Sequence, residues 1–371
     1  MSQVSQTQVD LEGLEQKIYR RSHSYNSVKT FRASVKVIQA FLETRKQSLA
    51  DLPQQNPYRI VEALDTYLDD LNYRSNPKKQ HRVNIIKLMK MSGVKIDKDT
   101  MKDAAPLPKK QIFVDEALTP ETARTILLET RQPDLRLLLC LEKDTLARPE
   151  EIVSLKLGNI NLASDPSYLK IPEYAAKNNI EREAFFTQET KEILISYLQK
   201  RGVKKQEEYI FLNNGENLDP LGDEKKFQRR VSDTFMQMES KWHRNRNSSP
   251  ALQQIIKKLE RRGRRNTYTI HIYSFKKFGF TKYADAISEL AAHATAGHEE
   301  YLITYYKKSR EDRVVDFNKV KGKLQLFTTP TDLEKQQQAV EQKIKSLPPE
   351  ALVKVLQYLN METAKEADRR L

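Results

Sequence analysis

Cysteine occurs once in the 371 residues, as Cys140. A single thiol can form no internal disulfide and no thiolate metal cluster, which argues against a disulfide-stapled scaffold or zinc ribbon and fits a reducing cytoplasm. Glycine is scarce, ten in all, so a glycine-rich phosphate cradle is not expected. Long apolar runs are missing too. The longest, Leu135 to Leu141, is interrupted by Arg136 and falls far short of the roughly 20 residues that cross a bilayer. The opening Met1-Ser2-Gln3-Val4-Ser5 lacks a basic stretch followed by an apolar one, so no export signal and no membrane association are expected. Acidic side chains are in deficit: 50 Asp and Glu face 64 Lys and Arg, a net charge of +14.

That excess is the first positive signal, because cations that neutralise phosphates release counterions and so favour nucleic acid as a partner. With 38% hydrophobic and 31% charged residues, the chain reads as globular and long enough for two or three domains.

Residues 1–10 are polar and read as a flexible N-terminus. Over 11–94 the pattern is helical: Val35, Ile38 and Leu42, then Ile60, Leu64 and Leu68, recur at three- and four-residue spacing. The cluster Lys78-Lys79-Gln80-His81-Arg82 makes this a basic helical domain. A linker over 95–117 carries Pro106, Pro108, Lys109 and Lys110, an extended connector suited to a phosphate backbone. A second domain, 118–315, opens with Thr119 as a helix N-cap and Pro120 at the first helical position. Three strand-like runs, Leu157–Leu162, Tyr168–Pro172 and Arg182–Phe186, follow two helices and are separated by turn-forming residues. Residues 241–265 are strongly basic and read as a loop feeding a helix after Asn247-Ser248-Ser249-Pro250. Arg244, Arg246, Lys257, Lys258, Arg261, Arg262, Arg264 and Arg265 are expected to meet DNA, with Lys78, Lys79, Arg82, Lys109 and Lys110. The remainder, 316–371, reads as a helical tail.

Five short segments carry chemistry in their order. Leu146-Ala147-Arg148-Pro149-Glu150-Glu151 pairs an Arg with an acid three places on; Lys177 lies in a turn before Asn178-Asn179. Ile272-Tyr273-Ser274-Phe275-Lys276 opens an apolar helix, Ala296-Gly297-His298 follows, and Thr304-Tyr305-Tyr306-Lys307-Lys308 closes the set. Over about residues 118 to 310 this resembles the tyrosine recombinase (integrase) family. The resemblance implies a mainly α fold: a helical DNA-clamping domain, then an α-rich catalytic domain with a small three-stranded antiparallel sheet. Tyr306 would attack a DNA phosphodiester to give a 3′-phosphotyrosine, with Tyr305 as the alternative nucleophile. Arg148 would clamp the phosphate, Glu151 would orient Arg148, and Lys177 would protonate the leaving oxygen, with Lys170 as a competing lysine. His298 would hydrogen-bond the phosphate or steady the nucleophile, His293 being the weaker alternative.

At one signature this chain departs from the family pattern. Its usual His-x-x-Arg reads here as Tyr273-x-x-Lys276; the alternative register on His271 puts Ser274, which has no charge, at the arginine position. Lysine is a point charge where arginine is a fork. The resemblance further implies no cofactor, metal or ATP; a double-stranded DNA partner bearing a specific site; and a homo-oligomer, tetrameric in the synapse. The tail would dock on a neighbouring protomer. It also suggests integration or resolution of an archaeal or plasmid-like mobile element, in the DNA-associated cytoplasm. A relaxing enzyme of the type IB topoisomerase kind and a catalytically weakened DNA-binding protein remain as alternatives. A DNA-packaging protein would explain the charge but not the ordered motifs.

Overall fold

A computed structural model describes residues 10–22, 25–73, 75–104, 106, 116–211, 218–259, 267–298 and 308–327. The chain forms two compact units. One comprises Met1–Glu116, Gly215–Thr234 and Ile256–Ile270; the other Ala117–Asn214, Phe235–Ile255 and His271–Leu371.

The first unit contains helices α1 (Leu11–Ser22), α2 (Tyr25–Thr44), α3 (Pro57–Asp70), α4 (Ser75–Met91) and α5 (Lys98–Ala104). Phe31, Val35, Ile38 and Leu42 form one stripe of α2; Ile60, Leu64 and Leu68 form another on α3, and both close on Ile85, Leu88 and Met89 of α4. This is the three-and-four spacing of the sequence turned into a core. Asn56 starts α3 by accepting from the backbone N–H groups of Tyr58 and Arg59, with Pro57 at the first helical position.

In this unit two residues expected to meet DNA fall on the wrong side of the surface. Lys78 is buried and paired with Asp69. Arg82, also buried, sits 3.3 Å from Asp65 and donates to the carbonyl of Pro106. Both lie on the core-facing side of α4 and are paired with acids of α3; Lys79 is exposed.

In the second unit α6 (Pro120–Glu129), α7 (Pro133–Thr145) and α8 (Pro149–Val153) lead into a three-stranded antiparallel sheet. Its order is β1 (Ile160–Asn161), β2 (Tyr168–Ile171) and β3 (Arg182–Phe185), with Lys170 opposite Glu183 and Ile171 opposite Arg182. Thr119 caps α6 through the N–H of Thr122. The first strand is shorter than its apolar run suggested, because Leu157–Asn159 turn as a 3₁₀ helix held by the Asn159 side chain on the Lys156 N–H. Next come α9 (Gln188–Arg201) and α10 (Glu224–Ser248), the latter beginning in the segment assigned to the first unit and ending in the second.

After α10 come α11 (Pro250–Ile255) and a two-stranded ladder of β4 (Lys258–Leu259) with β5 (Thr267–Tyr268). The basic stretch from 241 is therefore not a loop feeding a helix. It continues α10, is broken only where Pro250 starts a new helix, and then turns into a strand. Helices α12 (Ser274–Ala286), α13 (Glu289–Thr295) and α14 (Arg310–Leu324) complete the described residues.

Helix α7 is the spine of this unit. Every residue from Leu137 to Thr145 is buried, and α12 packs along it. Gly279 permits that approach: a Cβ there would lie 1.9 Å from the carbonyl oxygen of Lys143. The end of α7 is charged as well as buried. Lys143 pairs with Asp144 at 2.6 Å and Glu189 at 3.2 Å. Asp144 accepts from the N–H and hydroxyl of Thr187 and the hydroxyl of Thr190, while Glu189 accepts from the N–H groups of Leu326 and Phe327. Burial would discharge Lys143, but Asp144 and Glu189 outweigh it and hold its pKa above the ordinary lysine value. This network ties α7, the start of α9 and the end of α14 together just before the chain reaches Arg148.

Candidate active site

The site is organised around one carboxylate. Leu146 ends α7 in the left-handed region, at φ 53°, and this sharp exit lets Arg148 begin α8 two residues later. Glu151 is 1% exposed and accepts from the N–H of Arg148 at 2.8 Å and from its guanidinium at 3.1 Å. It also accepts from the N–H of Lys177 at 3.3 Å and the guanidinium of Arg182 at 2.6 and 3.4 Å. Burial pushes the Glu151 carboxyl up, but Arg182 and Arg148 more than offset this and hold it below its ordinary value. One anion thus fixes two arginines and the turn that carries Lys177.

Arg182 had no assigned role in the sequence, where it marks only the start of a strand. It is buried, and Nε has no hydrogen-bond partner among the described residues. Gly297 lies against its guanidinium: a Cβ there would meet Cζ at 2.6 Å, and Gly297 has φ +74°. The glycine ahead of His298 is therefore required twice over, by conformation and by close approach. Asn178 donates to the Gly297 carbonyl at 3.2 Å and so ties the β2–β3 turn to that same corner.

Lys276 enters from the first turn of α12. Its ammonium donates to the carbonyl of Ala296 at 3.4 Å, its one hydrogen bond among the described residues. Burial, then Arg148 and Arg182, lower its pKa to about 8 against the pull of Glu151 and Glu142. Tyr273, just before α12, donates to Glu150 at 2.7 Å; burial and that carboxylate push its phenol well above the usual tyrosine value. The backbone N–H of His271 is held by the Ser274 hydroxyl at 3.1 Å.

The two histidines meet, with Nδ1 of His293 and of His298 2.5 Å apart. Burial, then His293, Lys276 and the two arginines, lower His298 to about 4, so the imidazole is neutral near pH 7. Lys177 itself is exposed, while Lys170 is engaged with Glu181 at 3.0 Å.

Tyr305 and Tyr306 lie outside the described residues, as do Lys109, Lys110, Arg261, Arg262, Arg264 and Arg265. Of the other basic candidates, Arg244, Lys257 and Lys258 are exposed and Arg246 is half-buried.

Arg148 and Arg182 engage one buried carboxylate, with Lys276 and a neutral His298 nearby and a small antiparallel sheet beside them, in a mainly helical domain. Residues 116–278 match the family model described as the phage integrase family. Within those residues the chain is similar to that family. The match spans Arg148, Lys177, Arg182, Tyr273 and Lys276 and stops before His298. No curated protein matches the chain. Among solved structures, a lambda integrase (residues 75–356) dimer bound to a COC′ core site is similar at 16% identity and TM-score 0.49, covering 84% of this chain and 100% of that one. XerH site-specific recombinase bound to its difH substrate gives 16% identity and TM-score 0.46, with 85% of each chain covered. XerA recombinase gives 14% identity and TM-score 0.32, over 83% of this chain and 91% of that one.

Proposed function

We propose that the chain is a site-specific DNA recombinase that breaks and rejoins strands through a 3′-phosphotyrosine at Tyr306. The observation that carries this reading is the set of preorganised cations, Arg148 and Arg182 on Glu151 with Lys276 beside them. In the transition state a non-bridging phosphoryl oxygen gains charge, and fixed arginine donors stabilise it more than they stabilise the ground state. The phenol oxygen bonds to phosphorus as the bond from phosphorus to the 5′-oxygen breaks. The phenol's proton leaves to water. Lys177, on an exposed turn whose backbone is held by Glu151, can swing a proton to the departing oxygen. The bond energy stays in the phosphotyrosine, so rejoining needs no ATP.

The partner on this reading is double-stranded DNA with a defined site, and paired sites would require several copies of the chain, four in a full synapse. Integration or resolution of a mobile element, a DNA-associated cytoplasmic location and docking of the tail on a neighbouring protomer go with it as proposals. The test uses a pool of nicked duplexes of randomised sequence, from which covalent complexes are trapped by detergent. Wild-type protein should yield a DNA-linked species that Arg148→Ala and Tyr306→Phe abolish. No adduct from any duplex would leave a DNA-binding protein without the chemistry.

A further inference from the structure

Lys276 is a lysine at a position held by arginine in the family pattern, and the two differ in one respect beyond shape: lysine can give up its proton. Its surroundings are arranged for that. Among the described residues the ammonium pairs with no carboxylate, and its one hydrogen bond is to the Ala296 carbonyl. The charged groups that face it are Arg148 and Glu151 from α8, Arg182 from β3 and Glu142 from α7, with His298 beyond the end of α13. Glu151 is already shared between both arginines. Glu142 is fully buried, and neither of its carboxyl oxygens has a hydrogen-bond partner among the described residues. Burial raises its pKa well above the ordinary value in spite of Lys276. Two arginine cations thus face the amine, opposed by Glu151, which both arginines already engage, and by Glu142.

We propose that Lys276 is a proton donor to the leaving 5′-oxygen, acting in addition to or in place of Lys177; this rests on the recombinase reading above. An Nζ–H bond breaks and an O5′–H bond forms as the phosphorus–oxygen bond breaks, leaving a neutral amine. In rejoining, the 5′-hydroxyl returns its proton to Nζ as its oxygen bonds to phosphorus and the bond from phosphorus to the tyrosine oxygen breaks, the phenolate taking a proton from water. The arriving phosphodiester, with one negative charge, restores the ammonium before cleavage, so the proton is present when it is needed. Burial and the two arginines bring the free amine to about 8, close to the working pH at which a general acid is most effective.

The test replaces the 5′-bridging oxygen of an adduct-forming duplex with sulfur, whose thiolate leaves without protonation. Cleavage is then timed on both substrates for wild-type, Lys276→Arg, Lys276→Gln and Lys177→Arg proteins, all full length. Lys276→Arg keeps a charge and loses the transferable proton. Its cleavage of the oxygen substrate should fall about 100-fold or more, while the sulfur substrate should be cut within about tenfold of wild type. Lys276→Gln should be slow on both. Wild-type protein alone supplies a second reading, independent of variant folding: an alkaline decline on the oxygen substrate that is absent on sulfur. Equal losses on both substrates for Lys276→Arg, with sulfur rescue confined to Lys177→Arg, would overturn the proposal. Wild-type protein that forms no adduct at all sinks the recombinase reading itself, a separate outcome.

Discussion

Replacing Glu151 by Gln preserves shape and removes one charge, which isolates what that carboxylate does. In the wild type it neutralises two arginines while 1% exposed. Gln leaves Arg182, itself buried, as an uncompensated cation. Breaking a buried pair in this way costs about 3–5 kcal/mol. In a unit of roughly 200 residues each kcal/mol moves the melting temperature by about 2–4 °C, so a drop of some 6–20 °C is expected at pH 7. The pH dependence carries a sign as well. Glu151 titrates below its ordinary value of 4.5 in the folded chain, so its contribution is present above that value and is lost as pH falls through the folded pKa. The gap between wild type and Glu151→Gln should be widest at neutral pH and should narrow in acid. Thermal unfolding followed by circular dichroism from pH 7 to pH 3 measures both. A variant within about 1 kcal/mol of wild type at pH 7, or a gap that grows in acid, would show that Glu151 does not neutralise the buried arginine. Removing both partners, as Glu151→Met with Arg182→Met, should cost less than Glu151→Gln alone, because no buried charge is then left unpaired.

Other expectations follow from the same geometry. Glu142 is a buried carboxyl with no hydrogen bond among the described residues, so Glu142→Leu should stabilise the protein by about 1–3 kcal/mol at pH 7, seen as a higher urea midpoint. Because its pKa is raised, the destabilisation it causes grows as pH rises above 4.5; the gain from the substitution should shrink in acid. Gly297→Ala adds a Cβ at a left-handed position facing the Arg182 guanidinium; it should cost at least about 1–2 kcal/mol from backbone strain alone and depress adduct formation beyond the loss of folded protein. Removing Arg244, Lys257 and Lys258 should weaken DNA binding evenly across sequences and reduce the salt slope by about 1 for each phosphate that is no longer neutralised. Lys78→Ala and Arg82→Ala should instead lower the melting temperature and leave that slope unchanged.

Where the sequence was informative, its signals were local and periodic. The stripes of α2 and α3, the Thr119 cap and the order of Arg148, Lys177, Lys276 and His298 all lie in spacing a reader can count. Arg182 was not legible, since a basic residue opening a strand looks like an exposed one until Gly297 closes over it. Glu142 left a trace that was available: it lies four residues after Leu138 and seven after Leu135, in line with the apolar residues of α7, where an acid needs an explanation. Lys78 and Arg82 misled for the converse reason. A basic cluster on an amphipathic helix includes positions that turn inward, and composition alone does not separate them. The hairpin after α11 was missed because two-residue strands carry no readable alternation.

Strand transfer, unlike DNA binding alone, requires a covalent bond between DNA and one residue. The measurement that tests it most directly is mass spectrometry of the peptide left on DNA after a detergent-trapped complex is digested. The DNA-linked fragment should carry its modification on Tyr306, Tyr306→Phe should abolish it and Tyr305→Phe should leave it intact. A link at Tyr305 or at any other side chain, or a complex that persists in Tyr306→Phe, would contradict it.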